Sequence, residues 1–491
     1  MNKIRRALLP IALAASLSCE AQDIPEVDQK AAQAQVAISE GRGAIEFYPD
    51  PALRKDETRR LSEDFKQYPV EPVDRLRPLL EIGDPFLGRG PIRPGVKTPT
   101  GQMLQPWFLL FGSMRSAFQS FDNGRQTNVE WANRLDLHGN LNLSGTERIL
   151  FSMRPLDNRF GDFTGYRFNP DSRDGWQSDF NARLSQFFFE GDFGEIFPGL
   201  DPDDSGTLDF GFSVGRQLIL VQNGLLLNDI IDAFGVTRNS LVLPGISNLR
   251  VTGLFAWDHV HRGNNDLPIR DIDHTVKLYG LLSEADTALN NTLNFDLIYA
   301  HEKNDESAWY VGASSTQRIA GYNTTFRVNA SIPATCNSEV ASSGAILQSQ
   351  ISKTLKGSDN LLYFNTFWNI DRFTSAARGP NQGLPVSNLG ILYAPVGIGS
   401  YGVALGNRID STVGAALGYQ MFFDGINSQL ILEVGARAST RKHRDEAAAG
   451  LGARFEKTIG RRHVLRFDSF VAGAEGQNPS FGIRSEWMIK F

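Results

Sequence analysis

The sequence predicts an all-β fold: a transmembrane antiparallel β-barrel of about 16–18 strands behind a short, partly helical N-terminal extension. Three observations predict it. From about residue 105 onward, short runs sort into two chemically different faces between turns rich in Gly, Asn, Asp and Ser. The chain opens with a charged-then-apolar segment of the kind that export machinery reads. It ends on an amphipathic strand closed by Phe491.

Composition narrows the alternatives. The 491 residues are 41% hydrophobic and 21% charged, with mean hydropathy −0.25, too polar for a helical membrane protein. Past the N-terminus no run of about 18 apolar residues occurs, so no transmembrane helix is expected. Two cysteines, Cys19 and Cys336, exclude a disulfide framework and a cysteine-rich metal fold. A net charge of −6 gives no reason to expect nucleic acid as a partner.

Residues 1–21 read as a signal peptide. Lys3, Arg5 and Arg6 form the basic region, Ala7 to Leu17 the apolar one, and Ala21 a small-residue cleavage site. Lipidation at Cys19 is the alternative. Residues 22–104 form a separate extension. Lys30 to Ala37 is good helix-forming material, and Arg54 to Tyr68 is a second, charged helix candidate. Pro69, Pro72, Pro78, Pro85, Pro91, Pro94 and Pro99 then interrupt regular structure. This segment is read as a periplasmic extension, either a plug for the barrel or a partly disordered tether.

Residues 105–491 are the expected barrel. The alternation is clearest near the C-terminus. Leu430, Leu432, Val434, Ala436 and Ala438 oppose Glu433 and Arg437. Leu451, Ala453 and Phe455 oppose Arg454 and Glu456, and Leu465, Phe467 and Val471 oppose Arg466 and Asp468. In the last strand Ile483, Trp487 and Ile489 oppose Arg484 and Glu486. Consecutive antiparallel strands are neighbours, so these charges are expected to form a cross-strand ladder on one lumenal wall, where they are candidates for selectivity. Upstream, the same sorting recurs with less charge. Leu293, Phe295 and Leu297 oppose Asn294 and Asp296, and Val129, Trp131 and Leu135 oppose Glu130, Arg134 and Asp136. Trp107, Tyr299, Tyr310, Trp368, Phe422, Phe423 and Trp487 are candidates for interfacial aromatic girdles. Asn158 to Ser178, Gln217 to Asn228, Pro333 to Ser343 and Thr374 to Leu405 read as irregular stretches, either outer loops or inward-folded constrictions.

Two resemblances add to this. The ending Ile483-Arg484-Ser485-Glu486-Trp487-Met488-Ile489-Lys490-Phe491 resembles the C-terminal signature of bacterial outer-membrane β-barrel proteins. It implies an outer-membrane location, surrounding lipid, and recognition of Phe491 by the barrel-assembly machinery. Phe212-Ser213-Val214-Gly215-Arg216-Gln217, followed by Asp232-Ala233-Phe234-Gly235-Val236-Thr237-Arg238, resembles a strand-loop-strand pattern of alginate-export-type porins over about thirty residues. The pattern departs at Phe234. That resemblance implies lumenal roles for Arg216 and Arg238 in guiding an anionic polysaccharide; a structural salt bridge at a strand end is the other reading of both.

No catalytic constellation stands out. The chain has no Gly-x-Ser-x-Gly elbow, no His-Glu-x-x-His helix and no Walker loop. His259 and His261 beside Asp258, and the run Asp201 to Asp204, have metal-ligand chemistry, but polar surface is the simpler reading and no metal or other cofactor is assigned. The expected function is an outer-membrane channel passing small solutes or a polysaccharide. An outer-membrane enzyme with a site at the rim, or a closed structural or adhesion barrel, are the alternatives.

Overall fold

The computed structural model describes residues 76–83, 95–157, 163–168, 175–203, 205–263, 272–302, 306–335, 338–405, 410–441 and 447–491. The expected signal peptide, both candidate helices of the extension, Cys19, Cys336 and Asp204 lie outside the described residues.

Eighteen antiparallel strands close into one barrel. The first four are β1 (Trp107–Asp122), β2 (Thr127–Asn142), β3 (Arg148–Met153) and β4 (Leu184–Asp192). Next come β5 (Phe210–Val221), β6 (Leu227–Leu243), β7 (Ile246–Asp258), β8 (Lys277–Thr287) and β9 (Asn291–His301). They are followed by β10 (Ala308–Ile319), β11 (Tyr322–Pro333), β12 (Gly344–Thr354) and β13 (Leu361–Asp371). The last are β14 (Thr412–Phe423), β15 (Ser428–Ser439), β16 (Ala448–Ile459), β17 (His463–Ala474) and β18 (Ser480–Lys490). Each pairs with its neighbours in sequence, and β18 returns to β1 in register from Phe481↔Asp122 to Lys490↔Ser113. Phe491 completes the seam: its N–H donates to Gly112 O at 3.0 Å, and the Gly112 N–H donates to Phe491 O at 2.8 Å. Closure matters because lipid supplies no partner for an unpaired backbone N–H or C=O.

The period-two alternation decides which face meets lipid. Leu417, Leu432, Val434, Leu451, Phe467, Ile483 and Trp487 are exposed on the outside. Glu433, Asp468, Arg484 and Glu486, on the other parity, are buried. An outside rich in large apolar side chains over a polar interior is the inverse of a soluble fold and fits a membrane-spanning barrel. One expected girdle residue is corrected. Tyr310 points inward and is fully buried, where the Arg262 guanidinium donates to its hydroxyl at 3.3 Å. Its neighbour Trp309 takes the outer position and meets Tyr299, with ring centroids 4.5 Å apart.

The connections differ between the two ends. At the end holding Phe491 most are short, such as Ala320-Gly321 between β10 and β11, both left-handed at φ 49° and 81°. Two left-handed residues match the twist of the paired strands. The longest connections, those from β3 to β4, from β7 to β8 and from β13 to β14, start and finish at the other end, while one longer connection, from β4 to β5, lies at the Phe491 end. Of the N-terminal extension, the strand Leu80–Ile82 is described pairing with Phe108, Leu109 and Leu110 of β1, beyond the end of β18.

A charge on the lipid face should be costly in proportion to its depth. Leu417→Arg, at the middle of β14, is expected to cost about 2–4 kcal/mol, and Phe481→Arg near a strand end about 0–1 kcal/mol. Equilibrium unfolding of the protein in lipid vesicles measures both.

Candidate functional site

The lumen is narrowed by two inward-folded segments. The first is residues 372–405 of the connection between β13 and β14. Gly379, Pro380, Gly383, Pro385, Pro395, Gly397 and Gly399 prevent regular strand structure there. Its apolar side chains Phe373, Val386, Leu389, Leu392, Tyr393, Ile398 and Leu405 are all buried. Room for them comes from inward glycines on the wall. A Cβ at Gly435 would lie 2.8 Å from Leu405, and one at Gly452 would lie 2.8 Å from Leu392.

Polar anchors hold this loop to opposite walls. The buried Glu433 carboxylate accepts from the Ile391 N–H at 2.9 Å, the Leu392 N–H at 2.8 Å and the Tyr363 hydroxyl. Such charge-assisted bonds are stronger than neutral ones. Asn365 donates to Leu389 O at 2.6 Å, and Arg437 donates to Leu405 O. Across the lumen, Arg115 donates to Val396 O at 3.0 Å, Arg134 to Gly397 O at 2.6 Å and Gln119 to Ile398 O at 3.0 Å.

The second inward segment is the end of the β5–β6 hairpin. Pairing of β4 with β5 stops at Phe187↔Arg216, and pairing of β6 with β7 stops at Asp232↔Asp258. Gly215, left-handed at φ 127°, sits at the bend. Beyond it the hairpin leaves the wall. Leu225, Leu226 and Leu227 at its tip are fully buried, and Gln222 donates to Asp296 on β9 at 2.7 Å. Sequence had marked Gln217 to Asn228 as irregular; Gln217–Val221 and Leu227–Asn228 are strand, because each edge keeps its partner within the hairpin.

The two inward segments join each other. Leu227 and Asn228 pair in parallel with Ala377 and Arg378. Arg378 is buried, and its guanidinium donates to Gly224 O, to Ser375 Oγ at 3.1 Å and to Gly383 O at 3.3 Å. Burial pushes it down to about 9, still charged at neutral pH. Asp229 accepts from both the backbone N–H (2.8 Å) and the imidazole (2.9 Å) of buried His261.

Six of the residues expected in the lumenal ladder form one ion-pair network. Asp468 joins Arg454 and Arg484, Glu456 joins Arg466, and Glu486 joins Arg484. Glu486 also meets Arg466 at 3.7 Å and Arg115 of β1 at 2.8 Å. Arg115 was not foreseen, since it meets Glu486 only through barrel closure. Gln119, Glu130, Arg134, Arg378, Asp229 and His261 were missed as lumenal anchors too. Glu130 and Arg134 had been sorted to the polar face; the recurring inward glycines of β14–β16 were the signal for a packed loop.

Arg216 and Arg238 are corrected from the expected lumenal field. They share the outer parity of Val214, Phe234 and Val236, in the pairs Phe210↔Arg238 and Arg216↔Asp232. Arg216 stands where the hairpin leaves the wall and donates to Asp232 at 2.8 and 2.9 Å. Arg238, toward the other end of the barrel, lies over the Phe210 ring at 5.0 Å and donates to Asp209 O at 2.6 Å. Both lie at strand regions where an outward cation has polar partners. Of the acidic run, Asp201 accepts from the Ser205 N–H and hydroxyl at 3.0 Å.

Two cavities lie on the side of the barrel formed by β2 to β11. A cavity of about 350 Å³ sits between the β3–β4 edge (Arg154, Arg183, Leu184), the hairpin (Arg216, Ile230) and Gly379–Gln382 of the loop. Nearer the short-turn end lies a polar chamber of about 1120 Å³, lined by Arg148, Glu190, Arg250, Glu284, Asp296 and Arg327 among others.

No family model matches the chain, and no curated relative is found. Solved structures do resemble it. Pseudomonas aeruginosa OccK11 (OpdR) is 11% identical, with TM-score 0.51 over 78% of this chain and 96% of that one. Pseudomonas aeruginosa OccK5 (OpdH) and Acinetobacter baumannii OccAB2 are each 10% identical, with TM-score 0.51 over 78% of this chain and 98% of theirs. The shared feature is the fold, that of a bacterial outer-membrane barrel.

The charge network should behave as one unit. Glu486→Ala leaves Arg115, Arg466 and Arg484 short of a partner and is expected to cost about 3–5 kcal/mol, as breaking a buried pair does. Urea unfolding in detergent micelles measures it, and Glu486→Gln should recover part of the loss.

Proposed function

We propose that the protein is a passive outer-membrane channel for small water-soluble solutes. The observation that carries this reading is the arrangement of the lumen. Two inward segments narrow it and leave open a cavity of about 350 Å³ beside the hairpin and, nearer the short-turn end, a polar chamber lined by residues of β2 to β11. The longest connections, at the end away from Phe491, face the outside of the cell, and the chamber of about 1120 Å³ opens toward the periplasm. The fold shared with the Occ proteins of Pseudomonas aeruginosa and Acinetobacter baumannii supports a channel. An enzyme at the rim or a closed structural barrel would not need a polar chamber behind a constriction.

In this reading the ladder residues have two roles. Glu433 and Arg437 hold the constriction loop. Arg454, Glu456, Arg466, Asp468, Arg484 and Glu486 stiffen the wall beneath it. Their opposite charges neutralise one another, so their contribution to ion preference is small. Passage of an anionic polysaccharide, implied by the resemblance to alginate-export-type porins, is the finer reading. Recognition of Phe491 by the assembly machinery, and a plug formed by residues 22–104, are further proposals.

Single-channel recording in planar bilayers tests the reading. Steady conductance is expected. Deleting residues 380–404 should raise it several-fold, and Glu433→Ala should add open-channel noise by loosening the loop. Arg454→Glu with Arg466→Glu should shift the reversal potential little. Block by an oligouronate would support the polysaccharide reading, and a rise on removing residues 22–104 would make them a plug. No conductance in any form would sink the channel.

A further inference from the structure

We propose that Asp258, His259 and His274 form a binding site for one zinc-like divalent ion at the rim of the barrel, beside the point where the β5–β6 hairpin turns inward. This site is independent of the channel reading.

The chain brings the three side chains together by register. Strand β7 ends at Asp258, and His259 adopts a left-handed backbone, φ 58°, which few non-glycine residues do. Beyond it, Val260 pairs antiparallel with Asp273, with the Asp273 N–H donating to Val260 O at 2.8 Å. That pairing sets His274 opposite His259, and their ring centroids are 5.7 Å apart. The sequence had suggested His259 and His261 as the pair. The structure sends His261 into the interior to Asp229 and gives His259 a different partner, fifteen positions along the chain.

The donor atoms already converge. One ligand atom from each of Asp258, His259 and His274 lies within 4.8 Å of the other two. The Nδ1 atoms of both imidazoles face the Asp258 carboxylate, His274 at 2.6 Å and His259 at 3.6 Å. Zinc bonds of about 2.0–2.1 Å in tetrahedral geometry need ligand atoms about 3.3 Å apart, which side-chain rotations supply. Two imidazoles and one carboxylate favour zinc or a similar transition metal over calcium or magnesium, which prefer oxygen ligands only. Three protein ligands leave a fourth position for water. The exposed His274 provides the entry side, with its side chain 63% accessible.

The surroundings decide what the ion would displace. In this structure Arg216 lies 2.7 Å from His259 Nδ1, and Asp232 lies 3.3 Å from it. When the metal takes Nδ1, Arg216 loses that contact but keeps both bonds to Asp232. The ion therefore ties the end of β7 to the segment leading into β8, next to the hinge of the inward hairpin.

Zinc titration of the purified full-length protein in detergent, followed by isothermal calorimetry, tests the site. Cobalt in place of zinc provides a visible absorption spectrum that reports nitrogen and oxygen ligation. The expected result is one ion per chain. His259→Ala and His274→Ala should each weaken binding at least about tenfold. His301→Ala, at the end of β9, should not change it. Circular dichroism and the heat-shifted gel mobility of the folded barrel confirm that the variants fold. Absence of stoichiometric uptake by the wild-type protein would overturn the proposal, as would uptake unchanged in the His259→Ala, His274→Ala double variant.

Discussion

Everything in this barrel depends on one requirement: each backbone N–H and C=O facing lipid must find a partner within the chain. The seam between β18 and β1 meets it, down to the reciprocal bonds between Phe491 and Gly112. The same requirement explains how the wall is completed where the β5–β6 hairpin turns inward. Where β5 and β6 leave their neighbours, the ladder is replaced by side chains, with Arg216, Asp232, Asp258 and His259 bonded among themselves. The departure lies near the rim, where polar groups still reach water.

Closing eighteen strands creates a second problem. A ring of this size is too wide for its own inward side chains to fill. The chain fills it with residues 372–405 and the hairpin tip, and the wall adapts by carrying glycine where Leu392 and Leu405 of the loop pack against it. The packing is uneven. The loop is anchored on β13, β15 and β1–β2, while the side formed by β3–β7 keeps its cavity. Buried leucines and tyrosines give the loop its bulk, and the Glu433 carboxylate fixes its position by bonding two successive backbone N–H groups.

The charges of β16–β18 follow from the same geometry. Side chains opposite each other on neighbouring strands are close enough to pair, so Arg454, Asp468 and Arg484 line up across three strands. Glu486 then carries the network over the seam to Arg115. A set of paired charges stiffens a wall and projects little field into the lumen. Arg378, where the two inward segments meet, differs from these: its guanidinium donates only to carbonyl and hydroxyl oxygens among its hydrogen-bond partners.

The sequence by itself determined the class of fold, the strand count to within a narrow range, and the face on which most residues of β14–β18 lie. These are consequences of a period of two, which is local and readable along the chain. Glu433, Arg454, Asp468 and Glu486 were legible as inward charges for that reason. Tertiary structure alone decided which charges meet across the seam, that Arg216 and Arg238 take the outer parity, and that His259 faces His274 and not His261. It also decided that residues 372–405 fold into the lumen. Contacts such as Glu486 with Arg115, 371 residues apart, arise only when the sheet closes on itself, and no local pattern records where a ring will join.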